Sequence, residues 1–274
     1  MERRLGVPLF ERTTHHVTLT PAGLTLLEES ARVLDAISAA TRRTRRAAQT
    51  APRLVVTAKP GVATDLLRRI LDTYATQPDA PATEIVLSGF GEQATMVRDG
   101  RADLAIVGSP FDDKGLDVEP LLSEPRVAAL PVRHELTHRT TLSCHDIADL
   151  PVPRCPTSSA AIYAYWSGRD IASARTEDGM DEASATGPTV YDSAQLLEAV
   201  ALGQAVALIP RSLAQRNSRA DIAYRPVQDA SPYLLGIAWR AGIRSTPIAR
   251  LVRTAIEITA AGSEGVPGRE LSGV

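Results

Sequence analysis

The hydrophobic positions of this chain fall into three successive patterns. In the first, Leu5, Val7, Leu9 and Phe10 are interrupted by Gly6 and Pro8, which suits a helix end folding back onto a small core. Arg12 to His16 is polar, and Val17-Thr18-Leu19 alternates as a short strand does. Thr20 is a good N-cap, and Pro21 suits the first helical position, where its missing N–H costs nothing. The pattern predicts a helix end, a hairpin and a helix start, the back half of a winged helix-turn-helix.

The second pattern is a long helix from Ala22 to about Thr50. Leu24, Leu27, Ala31 and Leu34 recur along it at helical spacing and form one apolar seam, which fades at Ser38 and Thr41. A seam of this length serves either pairing with a second helix or packing on its own domain. Arg42-Arg43-Thr44-Arg45-Arg46 sits in the last turns, where cations suit the negative helix end and stay solvated; contact with DNA is the second reading. Ala51-Pro52 breaks the helix and marks a hinge.

Beyond the hinge the pattern changes to alternating strands and helices. Arg53–Ala58, Glu84–Leu87 and Asp103–Val107 read as strands, with helices over Ala63–Thr76 and Glu92–Arg98 between them. That alternation implies right-handed crossovers and a parallel sheet. Val118–Leu122 and Arg126–Pro131 are strand-like, and a second α/β unit begins near Val132. In it Ser143 is placed to cap a short helix, Ala160–Ser167 reads as helix, and Arg169–Pro188 is loop-rich. A helix over Ser193–Leu202 stops at Gly203, and the strand Ala205–Ile209 ends at Pro210. Strands at Ile222–Pro226 and Leu234–Trp239 and a helix over about Pro247–Thr259 complete the fold, with a frayed end over 261–274.

Composition narrows the classes. The 274 residues are 44% hydrophobic and 23% charged, enough for more than one core in an ordinary globular protein. A net charge of -2 carries no global nucleic-acid signature, although residues 1–50 hold eight arginines against five acidic residues. No charged-then-apolar leader opens the sequence, and no apolar run approaches the ~20 residues of a membrane span. Cys144 and Cys155 lack metal-type spacing and read as two reduced thiols. No G-x-S-x-G, H-E-x-x-H, P-loop or G-x-G-x-x-G stands at a strand end, so no enzyme activity and no cofactor are expected.

L-G-V-P-L-F-E-R-T followed by V-T-L-T-P-A-G resembles the segment just after the recognition helix of LysR-type transcriptional regulators. Val200–Pro210 is similar to that family's V-x-x-G-x-G-V-x-x-x-P segment, with Ala205 at the second glycine, and Arg98–Ile106 to its L-x-x-G-x-x-D-x-x-I segment. The likeness runs from Leu5 to about Thr259. It implies an α/β fold: a winged helix-turn-helix remnant over 1–21, a linker helix for dimerisation over 22–51, and a two-lobe effector-binding domain of periplasmic-binding-protein type over 52–260. Lobe I is expected over about 53–131 and 227–260, and lobe II over about 132–226.

The implied function is effector-sensing regulation of transcription in the cytoplasm, by a homodimer or a tetramer, with promoter DNA and a small organic effector as partners and no membrane. Arg12, Thr13, Thr14, His15 and His16 of the wing are the candidate DNA contacts. In the family this segment follows the helices of the helix-turn-helix proper, and here only Glu2-Arg3-Arg4 separate Met1 from Leu5. The resemblance therefore implies that the recognition helix is missing from these residues. Either the start codon lies further upstream, or the chain is a product that senses and dimerises without reading an operator. A stand-alone solute-binding module is the alternative.

Ligands of open parallel sheets bind beyond the carboxyl ends of the strands. The loops there nominate Gly61, Val62, Ala63, Thr64, Glu92, Ser109, Pro110, Pro156, Thr157, Ser158, Tyr191, Asp192 and Gln195 as effector-binding residues. The same segments hold effectors, often anions, in the family. Glu92 would repel an anion unless Lys59 or Arg154 neutralised it, which points to an amine or a neutral effector. Alternatively Glu92 is a solvated helix-start residue favoured by the dipole.

Overall fold

The wing is built from two close approaches. The computed structural model describes residues 1–12, 16–48, 53–156, 159–172 and 186–263. A helical turn, α1 (Glu2–Leu5), leads through Gly6 into the antiparallel strands β1 (Phe10–Arg12) and β2 (Val17–Leu19), with Phe10 opposite Leu19. Thr20 caps the next helix as its sequence position predicts: its hydroxyl accepts from the Gly23 N–H at 3.0 Å and donates to the Pro8 carbonyl at 2.8 Å. A Cβ on Gly23 would stand 2.1 Å from the Leu9 carbonyl oxygen, so the T-P-A-G run lets the helix start touch the backbone of the hairpin. Leu9 is the buried member of the apolar plug, while Leu5, Val7 and Phe10 are exposed.

The linker helix α2 runs Pro21–Ala47. Its seam faces solvent: Leu24, Leu27 and Leu34 are 51%, 59% and 64% exposed, and Ala31 is exposed as well. Ala39 is fully buried on the opposite contact, against Gly100. The hinge expected at Ala51-Pro52 lies outside the described residues.

The first lobe begins β3 (Leu54–Ala58), α3 (Thr64–Ala75), β4 (Thr83–Leu87), α4 (Gln93–Arg98), β5 (Leu104–Gly108) and β6 (Leu116–Glu124). The second holds β7 (Arg126–Pro131), α5 (Cys144–Ile147), β8 (Val152–Arg154), α6 (Ala160–Ser167), α7 (Arg169–Ala172), β9 (Thr186–Thr189), α8 (Ser193–Ala201), β10 (Ala207–Pro210), α9 (Arg211–Arg216) and β11 (Ile222–Pro226). The chain then returns to the first lobe as β12 (Tyr233–Arg240) and α10 (Thr246–Ser263). Ser143 caps α5 in a reciprocal box with Asp146, as its position predicts.

The parallel arrangement expected of the first three strands holds: β4, β3 and β5 are parallel neighbours in a sheet ordered β4-β3-β5-β12-β6, into which the returning β12 inserts antiparallel between β5 and β6. The second sheet, β10-β7-β11, is antiparallel throughout, beside a parallel pair β8-β9. Because β7 pairs with β10 and β11, the first crossing between lobes lies at Pro125 rather than near Pro131. An apolar run such as Arg126–Pro131 fits either sheet, and partners 80 residues on decide which. The helix α10 extends to Ser263, past the expected start of a frayed end.

One apolar cluster spans both lobes, joining Val56, Ile70, Leu104 and Ile237 of the first to Ala129, Leu197 and Ile209 of the second. A mixed α/β pair of lobes with two crossing segments results, and the segments that meet in the cleft between them are the loops after β3, β4 and β5 and the helices α6 and α8.

Candidate functional site

A cavity of about 310 Å³ lies between the lobes. Lys59, directly after β3, and Phe90, Gly91 and Gln93 around the start of α4 form one side; Gly108, Pro110 and Phe111 continue it beyond β5. Opposite stand Tyr163 and Trp166 of α6, Val190, Ser193 and Leu196 around α8, and Leu208 to Pro210 of β10. The wall is mostly aliphatic and aromatic, and among its residues only Lys59, Arg98 and Asp112 carry charge at neutral pH.

Lys59 is the centre of an aromatic cluster. Its Nζ lies 5.0 Å from the Tyr233 ring centroid, 5.4 Å from Trp166 and 5.6 Å from Phe90, close enough for each ring face to attract the ammonium. Trp166 in turn packs against Tyr165 at 5.1 Å and Tyr233 at 5.7 Å. Gly108 makes this possible: a Cβ there would sit 1.6 Å from the Tyr233 hydroxyl oxygen. Arg98, by contrast, is consumed structurally. It pairs with the Asp112 carboxylate at 3.1 Å and donates to the carbonyls of Lys114 and Asp112.

Behind the cavity, Arg126 ties the crossing segments together. This side chain is 1% exposed; its Nε donates to the Ser231 carbonyl at 2.6 Å, its Nη1 to the Tyr165 carbonyl at 2.5 Å, and its guanidinium stacks 3.6 Å from the Tyr165 ring centroid. Burial draws its pKa below the ordinary arginine value. Asp170 lies 3.9 Å from Nη2 and accepts from the Ser231 hydroxyl at 2.9 Å. The Tyr165 hydroxyl donates to the Pro232 carbonyl at 2.9 Å, and burial pushes it up to about 12.

Of the residues nominated from sequence, Pro110 lines the cavity. The other nominated residues that are described do not line it. Val62 is buried in the core, and Ala63 is the N-cap of α3 with a left-handed backbone, beside Gly61 and Thr64. The Ser109 hydroxyl accepts from the Leu234 N–H at 3.3 Å. Asp192 caps α8 by accepting from the Gln195 N–H at 2.9 Å, and the Gln195 side chain accepts from the Tyr191 N–H at 2.9 Å. Pro156 is exposed, and Thr157 and Ser158 lie outside the described residues. Glu92 is exposed and accepts from the Gly89 N–H at 2.8 Å, outside the cavity wall. Of the charged wall residues, Arg98 and Asp112 pair with each other, and Lys59 stands among the rings.

The two rims touch each other. The Phe90 N–H donates to the Tyr191 carbonyl at 3.1 Å, and the Ser193 hydroxyl to the Pro60 carbonyl at 3.3 Å. Trp166, Phe111 and Leu208 were missed by sequence reasoning, since an apolar wall carries no signal that separates it from a core. Among the described wing residues, Arg12 ends β1 and His16 is exposed before β2, whereas Thr13, Thr14 and His15 lie outside the described residues. Among the described residues no group of three His, Cys, Asp or Glu is placed to hold a metal, and no helix is long and apolar enough to cross a membrane.

Residues 47–260 match the model of the LysR substrate binding domain. The Hca operon transcriptional activator HcaR of Escherichia coli (strain K12) is 25% identical over 247 residues, 88% of this chain and 80% of that one. The crystal structure of full-length BenM superposes with a TM-score of 0.60 at 21% identity, covering 96% of this chain and 85% of that one. The BenM effector binding domain with its effector benzoate gives 0.59 at 20% identity, over 81% and 98%. The relatives are transcriptional regulators, not enzymes, and their effector-binding domains share the periplasmic-binding-protein-like fold. The chain belongs to the LysR family of transcriptional regulators, of which residues 47–260 form the effector-binding domain.

Proposed function

We propose that the cavity between the lobes is the effector site of a cytoplasmic, homodimeric regulator that binds promoter DNA. The observation that carries this reading is the cavity itself, about 310 Å³ with a mainly apolar wall, one caged cation and rims that close over it. Pockets of this kind, apolar with few convergent polar groups, are where small molecules bind. The site comprises Lys59, Phe90, Pro110, Trp166 and Ser193, with Gly61–Thr64, Glu92, Ser109, Tyr191, Asp192 and Gln195 at its rim.

Dimerisation through α2 is supported by the solvent-facing seam of Leu24, Leu27 and Leu34. The 1–21, 22–51 and 52–260 segments act as wing, dimer helix and sensor. The wing positions phosphate contacts, but sequence readout needs a helix in the major groove. The wing is proposed to contribute salt-sensitive phosphate contacts to DNA binding.

Thermal-shift screening of the purified chain against small organic molecules, repeated on Ala94→Leu, tests the sensor. Ala94 lines the cavity; hits that stabilise the wild type and not the variant support the site, and hits indifferent to it refute it. In gel shifts, DNA binding that weakens steeply with added salt supports phosphate contact by the wing. Binding indifferent to salt refutes it.

A further inference from the structure

The effector site proposed above carries enough asymmetry of charge to name its ligand class. Of the three charged side chains on its wall, Arg98 and Asp112 neutralise each other at 3.1 Å, and Arg98 also donates to two carbonyls. Lys59 forms no ion pair among the described residues. Glu92 and Asp192 do not line the cavity, and each accepts a backbone hydrogen bond, from the Gly89 and Gln195 N–H respectively. A ligand entering the cavity therefore meets one uncompensated positive charge and no available carboxylate.

The rings around that charge set its strength and its place. Phe90, Trp166 and Tyr233 come from three separate segments, and their faces hold the ammonium in a surround of low polarity. Coulomb attraction between opposite charges grows as water is excluded, so a carboxylate that reaches Lys59 here gains more than at an open surface. An amine meets repulsion with nothing to offset it. A dianion brings a second charge for which the wall has no partner, and leaving a charge unpaired in an apolar site is costly.

The remainder of the wall selects an apolar body. Phe111, Leu196, Leu208 and Leu213 line it. A volume of about 310 Å³ is at the small end of ligand pockets, room for one ring with a short chain.

Resting on the cavity's being the effector site, we infer that the effector is a monoanionic organic acid with a ring-sized apolar body, its carboxylate recognised by Lys59 inside the Phe90, Trp166 and Tyr233 cage. Lys59 is then the specificity-determining residue, and the apolar wall supplies affinity that does not depend on charge. An amide of the same skeleton keeps the second contribution and loses the first.

Four compounds on one skeleton test this with the full chain: phenylacetate, phenylacetamide, 2-phenylethylamine and the dianion phenylmalonate. Binding is read from Trp166 fluorescence and melting temperature, and occupancy of the cavity from protection of Cys155, which lines it, against a thiol reagent. Phenylacetate is expected to bind about tenfold or more tightly than the other three, a difference typical of one charge-assisted contact. In Lys59→Met it should lose that advantage while phenylacetamide binds as before; Lys59→Arg, which keeps the charge, should retain it. If amine or amide matches the acid in the wild type, or Lys59→Met keeps full affinity for phenylacetate, the anion assignment is overturned. Protection of Cys155 by those same compounds would leave the cavity reading standing. If none of the four protects Cys155 or shifts the melting temperature, the cavity reading and the inference fall together.

Discussion

The two cysteines show how much chemistry a short stretch of chain leaves to the fold. Cys144 is fully buried, and burial, followed by the neighbouring Asp229 carboxylate, pushes its thiol up to about 12. Cys155 is half-buried at the cavity wall, and neither is in a disulfide. A thiol reagent at pH 8 is expected to modify Cys155 in the native protein and Cys144 only on unfolding, measured by mass spectrometry of each peptide. The raised thiol also fixes a sign. A group whose folded pKa is raised contributes stability below its ordinary value, and that contribution fades as pH rises from about 9 toward 12. Cys144→Ser should weaken this alkaline fall; an unchanged profile would refute it. Residues whose role is local were legible in sequence: Thr20 and Ser143 cap the helices their positions suggest, because capping needs only the next three residues. Glu92 stands exposed at the start of α4, the second of its two expected roles, while its hydrogen bond to the Gly89 N–H depends on a turn that the sequence leaves open.

At the scale of elements, the strands and helices were legible where periodicity is long, as for α3, α6 and β11, and failed where pairing is remote. The strand β7 has the same apolar run in either lobe, and β8 is three residues with Pro153 inside it. What holds the crossing segments is Arg126, which joins the start of β7 to Ser231 on the returning segment and to Tyr165 at the end of α6. Arg126→Met keeps the volume, strips both carbonyls of their donor and removes the cation 3.9 Å from Asp170. The expected loss is about 2–3 kcal/mol in denaturant unfolding, and Arg126→Lys should not restore it, since an ammonium lacks the fork that reaches two carbonyls. The seam of α2 makes a separate prediction. Leu27 and Leu34 are exposed along one face, so Leu27→Glu with Leu34→Glu should halve the mass seen by light scattering without lowering the effector-domain melting temperature. A dimer that persists would assign the interface elsewhere.

Across the whole molecule, one element touches both the cavity and the linker. The first residues of α4, Gln93 to Thr95, line the cavity, and its far end turns at Gly100 onto α2. Gly100 has a positive φ of 74°, and a Cβ there would stand 2.7 Å from the Ala39 Cα, so the linker helix rests directly on this turn. The rims that close over the cavity include Phe90, three residues before α4. A ligand that draws the rims together acts on the same short helix that supports α2, whereas the wing lies at the other end of that helix. Such a coupling requires the contact itself rather than mere proximity. In Gly100→Ala the added methyl has no room against Ala39, and the left-handed backbone costs about 1 kcal/mol more with a side chain. The variant should still bind effector with near-native affinity, because Gly100 does not itself line the cavity. Hydrogen exchange of amides around Ala39 is the readout: ligand is expected to slow exchange there in the wild type and to leave it unchanged in Gly100→Ala. If both proteins respond alike, the signal leaves the cavity by another route, and the crossing segments held by Arg126 become the place to look.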